Sequence, residues 1–148
     1  LTVRGPEIGP RENPTRVVID PNNRVPKDCK ILNDGEAETL LVQTSEFDSS
    51  RDSSHVRRVV IPGADIPISS ILQMLGDRGV QSLLVEGGLD TWKRFVSSGM
   101  VDRARVCTSP FVLEDGSGFF DRTELEENLE KVSETVVCGD TIEWWERK

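Results

Sequence analysis

Short apolar runs separated by polar stretches dominate the first half of the chain. Three such runs, at residues 16–19, 39–42 and 56–61, have the length of buried β-strands. The first run ends in the turn-forming residues 21–23, and the Ser- and Asp-rich stretch 45–54 separates the other two as an exposed loop. The pattern therefore predicts three strands joined by polar connections.

Helical spacing appears after residue 65. Apolar residues recur at the i, i+3, i+4, i+7 positions of an amphipathic helix, at Ile68, Ile71, Leu72 and Leu75. Gly79 ends this pattern, and the apolar run at 80–85 predicts a further strand. A second helix is predicted at about 89–98, with Gly99 as its stop.

The last third of the chain predicts strands. Residues 104–108 form one, and the alternating segments 132–138 and 141–145, joined by Gly139-Asp140, form a hairpin. Strand-helix-strand steps place parallel strands side by side beneath helices. We therefore predict a single α/β domain over residues 1–148, with a mostly parallel central sheet flanked by helices and a C-terminal β-hairpin.

Composition narrows the function classes. The chain has 148 residues, 26 acidic against 18 basic, and a net charge of −8, which disfavours nucleic acids and anionic membranes as partners. No apolar run approaches the roughly 18 residues of a membrane span. Three widely spaced cysteines and one histidine argue against a zinc site or a disulfide framework and indicate a reduced compartment, so we expect a cytoplasmic protein.

Two pairs of residues are interpreted as structural rather than functional. Adjacent residues of a strand point to opposite faces, so at most one of Trp144 and Trp145 can be in the core. Cys107 and Cys138 are expected to be small core residues.

The segment Val85-Glu86-Gly87-Gly88 is the best candidate for chemistry, since paired glycines stand between a predicted strand and a predicted helix. Glycines let the backbone approach a ligand closely, and the start of a helix favours an anion such as a pyrophosphate. The same glycines are also compatible with a simple tight turn. Glu86 is either a solvated charge or a hydrogen-bonding group for a ribose or a base.

Three segments taken together carry a family resemblance: LTVR at 1–4, NPTRVVID at 13–20, and GVQSLLVEGGLDTWKRFVSSGMVDRARVCTSP at 79–110. In order and spacing they resemble the reductase domain of riboflavin biosynthesis. This family occurs as the C-terminal half of the bacterial deaminase-reductase and as stand-alone archaeal and fungal reductases. The resemblance implies a dihydrofolate-reductase-like fold that reduces the ribosyl group of a pyrimidine ribosylamine 5′-phosphate to a ribityl group with NADPH.

The resemblance also implies roles for individual residues. Leu1, Arg4 and Glu86 would contact the substrate, and the Arg4 guanidinium can hold a phosphate through two hydrogen bonds. Pro21 would face the cofactor, at a position where relatives often carry serine; proline provides neither an N–H nor a hydroxyl there. The remaining cofactor-binding residues would be Gly87, Gly88, Leu89, Asp90 and Thr91.

The chain also departs from the family. The family's opening strand-helix-strand segment, which precedes LTVR, has no counterpart in residues 1–148, so we expect a reductase domain without its first segment. Relatives lead us to expect a homodimer. Two alternatives to the reductase function remain open: a related reductase of the same fold acting on another pterin or pyrimidine, and a non-catalytic interaction domain.

Overall fold

A computed structural model describes residues 13–46, 52–112 and 121–148. These residues fall into two compact units, Leu1–Ser70 and Ile71–Lys148, and we describe each unit by itself. In chain order the elements are β1 (Arg16–Ile19), α1 (Lys30–Asn33), β2 (Thr39–Gln43), β3 (Val56–Val60), α2 (Ile68–Gly76), α3 (Leu89–Ser97), β4 (Arg103–Thr108), α4 (Arg122–Glu126), β5 (Leu129–Val137) and β6 (Asp140–Arg147).

The first unit contains a parallel sheet with the strand order β1-β2-β3. Arg16 of β1 lies opposite Thr39 of β2, and Val42 of β2 lies opposite Val59 of β3. Every residue of β2 is buried, as expected for the central strand of a covered sheet. The three strands predicted from the short apolar runs are confirmed.

A buried ion pair ties α1 to the start of β1. The Arg16 guanidinium donates to both carboxylate oxygens of Asp34 at 2.8 and 2.6 Å, and Asp34 is the residue at the C-terminal end of α1. The amide of Glu36 also donates to Asp34. These hydrogen bonds, those from Arg16 above all, hold the pKa of the Asp34 carboxyl well below its usual range.

The predicted amphipathic helix is confirmed as α2, and Gly79 ends it as expected. Gly79 has φ +79°, its amide donates to the Gly76 carbonyl, and the amide of Val80 donates to the Leu75 carbonyl. A residue in the left-handed conformation allows amides to donate to the carbonyls at a helix end, and glycine adopts this conformation without steric cost.

The second unit contains an antiparallel sheet with the order β4-β6-β5. The predicted strand 104–108 and the predicted hairpin are confirmed as β4, β5 and β6. The hairpin turn, however, is at Cys138-Gly139, one residue earlier than predicted, because Cys138 (φ 52°) and Gly139 (φ 94°) take the two left-handed positions. Asp140 is already the first residue of β6.

Helices α3 and α4 cover one face of this sheet. The core on that face comprises Val96, Leu125, Leu129 and Trp145, with Trp92 packed against it. Trp145 is 4% exposed and Trp144 is 42% exposed, which confirms that at most one of the two is in the core. The Arg105 guanidinium lies 5.3 Å from the centre of the Trp144 ring. The expectation that Cys107 and Cys138 are core residues is wrong, since both are exposed on the antiparallel sheet and its turn.

The strand predicted at 80–85 is not present. Residues 80–88 run without helix, turn or bend, and no strand in the described part of the chain pairs with them. Apolar residues suit a strand, but a strand forms only when a neighbouring backbone accepts its hydrogen bonds. The α/β fold is nevertheless confirmed, with a parallel sheet, helices and the C-terminal hairpin. Among the described residues no helix is long and apolar enough to cross a membrane.

Candidate functional site

The candidate site is the extended connection at residues 86–88, which leads into α3. Gly88 is the residue that precedes the helix, with extended backbone (φ −72°, ψ 174°) and no side-chain cap. Its carbonyl accepts the amide of Trp92, the first hydrogen bond of the helix. The amides of Leu89, Asp90 and Thr91 precede that bond and so have no carbonyl partner within the helix. They form a set of donors suited to an anion.

The two glycines of this connection have different surroundings. A Cβ on Gly87 would lie 3.1 Å from Cβ of Thr91 and 3.2 Å from its Oγ1, so any larger residue would displace Thr91. A Cβ on Gly88 would meet no atom of the described chain within 4 Å. Gly87 therefore packs closely against Thr91, whereas Gly88 leaves open space above the helix start.

The charged side chains of residues 86–91 are both negative. Glu86 and Asp90 are both exposed, and Asp90 occupies the first turn of α3. A carboxylate at this position stabilises the helix through its dipole, and it also repels a second anion. Because no basic side chain belongs to residues 86–91, any attraction of this connection for a phosphate group comes from backbone amides and the helix dipole.

The structure brings only some of the predicted site residues together. The connection and the first turn of α3, both in the second unit, contain Glu86, Gly87, Gly88, Leu89, Asp90 and Thr91. Pro21 belongs to the first unit, in the turn that follows β1. Leu1 and Arg4 lie outside the described residues.

The turn around Pro21 is fixed by hydrogen bonds. The Asp20 carboxylate accepts the amides of Arg24 at 2.7 Å and of Val25 at 3.1 Å. The Pro21 carbonyl accepts the hydroxyl of Thr44 at 2.8 Å. Proline thus contributes its carbonyl to the turn and has no N–H to donate.

A polar cluster beside this turn was not predicted from the sequence. Gln43, buried at the carboxyl end of β2, donates to the Asn23 side chain at 3.1 Å and accepts from Arg58 at 2.9 Å. Asp52 in turn accepts two hydrogen bonds from the Arg58 guanidinium. Ligands of open α/β sheets bind beyond the carboxyl ends of the strands. Gln43 directly follows one predicted apolar run and Asn23 is the last residue of the predicted turn after another, and these positions were the available signal.

Residues 1–142 of the chain match the family described as the RibD C-terminal domain. The chain is 31% identical to the 2,5-diamino-6-ribosylamino-4(3H)-pyrimidinone 5′-phosphate reductase of Archaeoglobus fulgidus, covering 90% of this chain and 68% of that protein. It is 32% identical to the protein of the same name from Methanothermobacter thermautotrophicus, covering 76% of this chain and 53% of that protein. The chain therefore spans between half and about two thirds of these relatives.

Solved structures agree with the fold. The deaminase-reductase of Thermotoga maritima superimposes with a TM-score of 0.74 at 19% identity, over 96% of this chain and 40% of that chain. The riboflavin biosynthesis reductase Rib7 of Saccharomyces cerevisiae gives 0.71 at 13% identity, over 93% of this chain and 71% of that chain. At these identities the likeness supports the fold alone.

Proposed function

Because the chain belongs to the RibD C-terminal domain family, we propose that it is the reductase domain of a riboflavin-biosynthesis enzyme. The reaction is the reduction of the ribosyl group of a pyrimidine ribosylamine 5′-phosphate to the ribityl group, with NADPH as cofactor. The observation that carries the proposal is the exposed connection 86–88 at the start of α3, where uncrowded Gly88 and the amides of residues 89–91 suit a dinucleotide pyrophosphate.

In this proposal the cofactor lies against the start of α3. The amides of Leu89, Asp90 and Thr91 donate to the pyrophosphate, and Gly88 allows it to approach the backbone. Pro21, in the turn after β1, also faces the cofactor and offers it a ring surface without a donor. NADPH supplies the hydride when bound, and the protein supplies its orientation.

The substrate is held by charged groups. Arg4 binds the 5′-phosphate through its guanidinium, Leu1 contacts the pyrimidine portion, and Glu86 accepts hydrogen bonds from the substrate. Glu86 is exposed and directly precedes Gly87, and in this proposal its carboxylate acts near the cofactor amides. A carboxylate there orients a polyhydroxylated substrate and does not need to change its protonation state.

We also propose the wider setting of the domain. Residues 1–148 belong to one reductase domain, which works in the cytoplasm as a homodimer without nucleic-acid or membrane partners. Light scattering coupled to size exclusion tests the dimer. A monomer at all concentrations contradicts it.

The test of the function is NADPH oxidation by the full natural polypeptide, followed at the nicotinamide absorbance. The diaminopyrimidinone and the aminouracil ribosylamino phosphates are supplied separately. Turnover with either supports the proposal and identifies the intermediate that is reduced. If NADPH binds but neither compound is reduced, the proposal is replaced by a related reductase that acts on another pterin or pyrimidine. If NADPH does not bind, it is replaced by a non-catalytic interaction domain.

A further inference from the structure

The carboxyl end of β2 holds the turn at residues 21–23 at both of its ends. Thr44, directly after β2, donates its hydroxyl to the Pro21 carbonyl at 2.8 Å. Gln43, the last residue of β2, donates its side-chain amide to Oδ1 of Asn23 at 3.1 Å. The first and the last residue of the turn are therefore both attached to the central strand of the parallel sheet.

Gln43 is an unusual residue for its place in the sheet. The three residues before it in β2 are the apolar Leu40, Leu41 and Val42, and Gln43 is 0% exposed, as Val42 is. Burial of a side-chain amide costs free energy unless its groups find hydrogen-bond partners. Leucine has about the same volume and would avoid that cost. A polar side chain here therefore indicates that its hydrogen bonds have a role that packing does not require.

Arg58 fixes the side chain of Gln43. Its Nη1 donates to Oε1 of Gln43 at 2.9 Å and to Oδ1 of Asn23 at 3.3 Å. Its Nε and Nη2 donate to the two carboxylate oxygens of Asp52. Because all three guanidinium nitrogens are engaged, a phosphate could bind Arg58 only by displacing one of these partners. The cluster therefore suits the positioning of the turn better than the binding of an anion.

Asn23 is the residue of the turn that needs this support. Its φ of 52° lies in the left-handed region, which asparagine adopts more readily than most residues but still at a cost. Its backbone amide donates to the Asp20 carbonyl at 3.2 Å, so the turn is also closed within itself. Pro21 has a fixed φ, and hydrogen bonds that hold Asn23 from outside therefore select one conformation of the whole turn.

We propose that Gln43 is a positioning residue of the cofactor site. Through Asn23 it holds the turn 21–23 in the conformation in which Pro21 faces NADPH, and so it reduces the ordering that cofactor binding would otherwise require. Gln43 is fully buried, so it acts through the turn and not by a contact of its own. This inference rests on the proposed function, in which Pro21 faces the cofactor.

The test uses two variants of the full natural polypeptide, with the Kd for NADPH and steady-state kinetics as readouts. Gln43→Leu removes the hydrogen bonds of the side chain and keeps an apolar group of similar size in its place. Asn23→Gly removes the other partner, and glycine adopts the left-handed conformation without steric cost. In both variants the Kd and the KM for NADPH should rise roughly 3- to 10-fold, the effect of about one lost hydrogen bond. The KM for the pyrimidine substrate should rise much less, because in this proposal the turn faces the cofactor.

Thr39→Val is the matched control. Thr39 is the first residue of β2, as Gln43 is the last, and it is also 0% exposed. Its hydroxyl donates to the Ile31 carbonyl at 3.3 Å, at the opposite end of the strand from the turn. Loss of a buried hydrogen bond should lower the Tm of both variants, but only Gln43→Leu should weaken NADPH binding. An equal rise in Kd for Thr39→Val would mean that general loss of stability is the cause, and it would overturn the inference.

Hydrogen exchange gives a second readout that needs no cofactor. The amides of Arg24 and Val25 both donate to the Asp20 carboxylate beside the turn. Their exchange should be faster in the two turn variants and unchanged in the control. Exchange at the wild-type rate in the turn variants, or an unchanged Kd for NADPH in either of them, overturns the inference and leaves the reductase function standing. A wild-type polypeptide that binds no NADPH overturns both.

Discussion

Substitution of Gly88 by valine separates cofactor binding from folding. Gly88 has backbone angles that any L-residue adopts, and its surroundings are open, so the protein itself tolerates the side chain. The valine instead fills the space through which a pyrophosphate approaches the amides of Leu89 and Asp90. Loss of one hydrogen bond to a charged ligand costs about 1.5–3 kcal/mol. The Kd for NADPH should therefore rise roughly 10- to 100-fold.

The assay is a titration of the full natural polypeptide with NADPH, combined with thermal unfolding of each variant. Valine is a poorer residue than glycine before a helix, so a decrease of up to about 1 kcal/mol in the free energy of unfolding is expected. Gly76→Val is the control, because Gly76 also has open surroundings and lies at the end of α2. An unchanged Kd for Gly88→Val, or an equal increase for Gly76→Val, refutes the assignment of Gly88 to the cofactor.

Three further predictions concern the substrate and the stability of each unit. Arg4→Ala should raise KM for the phosphorylated substrate much more than KM for NADPH; equal effects on both in steady-state kinetics would contradict the phosphate assignment. Leu125→Ala, which removes a 0% exposed core residue, should lower the free energy of unfolding of the second unit by about 2–5 kcal/mol in denaturant titrations; a loss below 1 kcal/mol would mean that the core repacks. Because the pKa of Asp34 is lowered in the folded state, its pairing with Arg16 stabilises the protein above the ordinary carboxyl pKa and is lost as the pH falls below about 4. Asp34→Asn should accordingly flatten the decrease in Tm between pH 5 and pH 3, and an unchanged acid slope would refute the ion pair's role.

Local patterns were sufficient for elements whose partners lie close in sequence. The strands β1, β2 and β3 and the hairpin β5-β6 follow from apolar runs and turn residues. Residues 80–85 have the same apolar character, yet they form no strand, because strand formation depends on a partner that no local pattern specifies. The hairpin turn lies one residue earlier than predicted because Cys138 adopts a left-handed conformation that its residue type rarely takes.

The two glycines predicted the candidate site, but the packing of Gly87 against Thr91 was not predicted. The i, i+4 spacing of Gly87 and Thr91 places one beside the other at the start of α3, and this spacing was the signal available in the sequence. The pairing of Arg16 with Asp34 and the Asn23–Gln43 contact join residues about 20 positions apart. Such contacts depend on how the strands are arranged, so a reading of neighbouring residues could not provide them.

The distribution of aromatic residues determines what optical experiments on this protein will detect. The chain has three tryptophans and no tyrosine, and Trp92, Trp144 and Trp145 all lie in the second unit. Intrinsic fluorescence therefore follows the antiparallel sheet and its helices, with buried Trp145 as the reporter of core opening. The first unit contains no tryptophan or tyrosine, so its unfolding is followed by a method such as far-ultraviolet circular dichroism or hydrogen exchange. If the two units unfold separately, fluorescence and circular dichroism will give different midpoints, and a single tryptophan reporter introduced beside β2 would recover the missing transition.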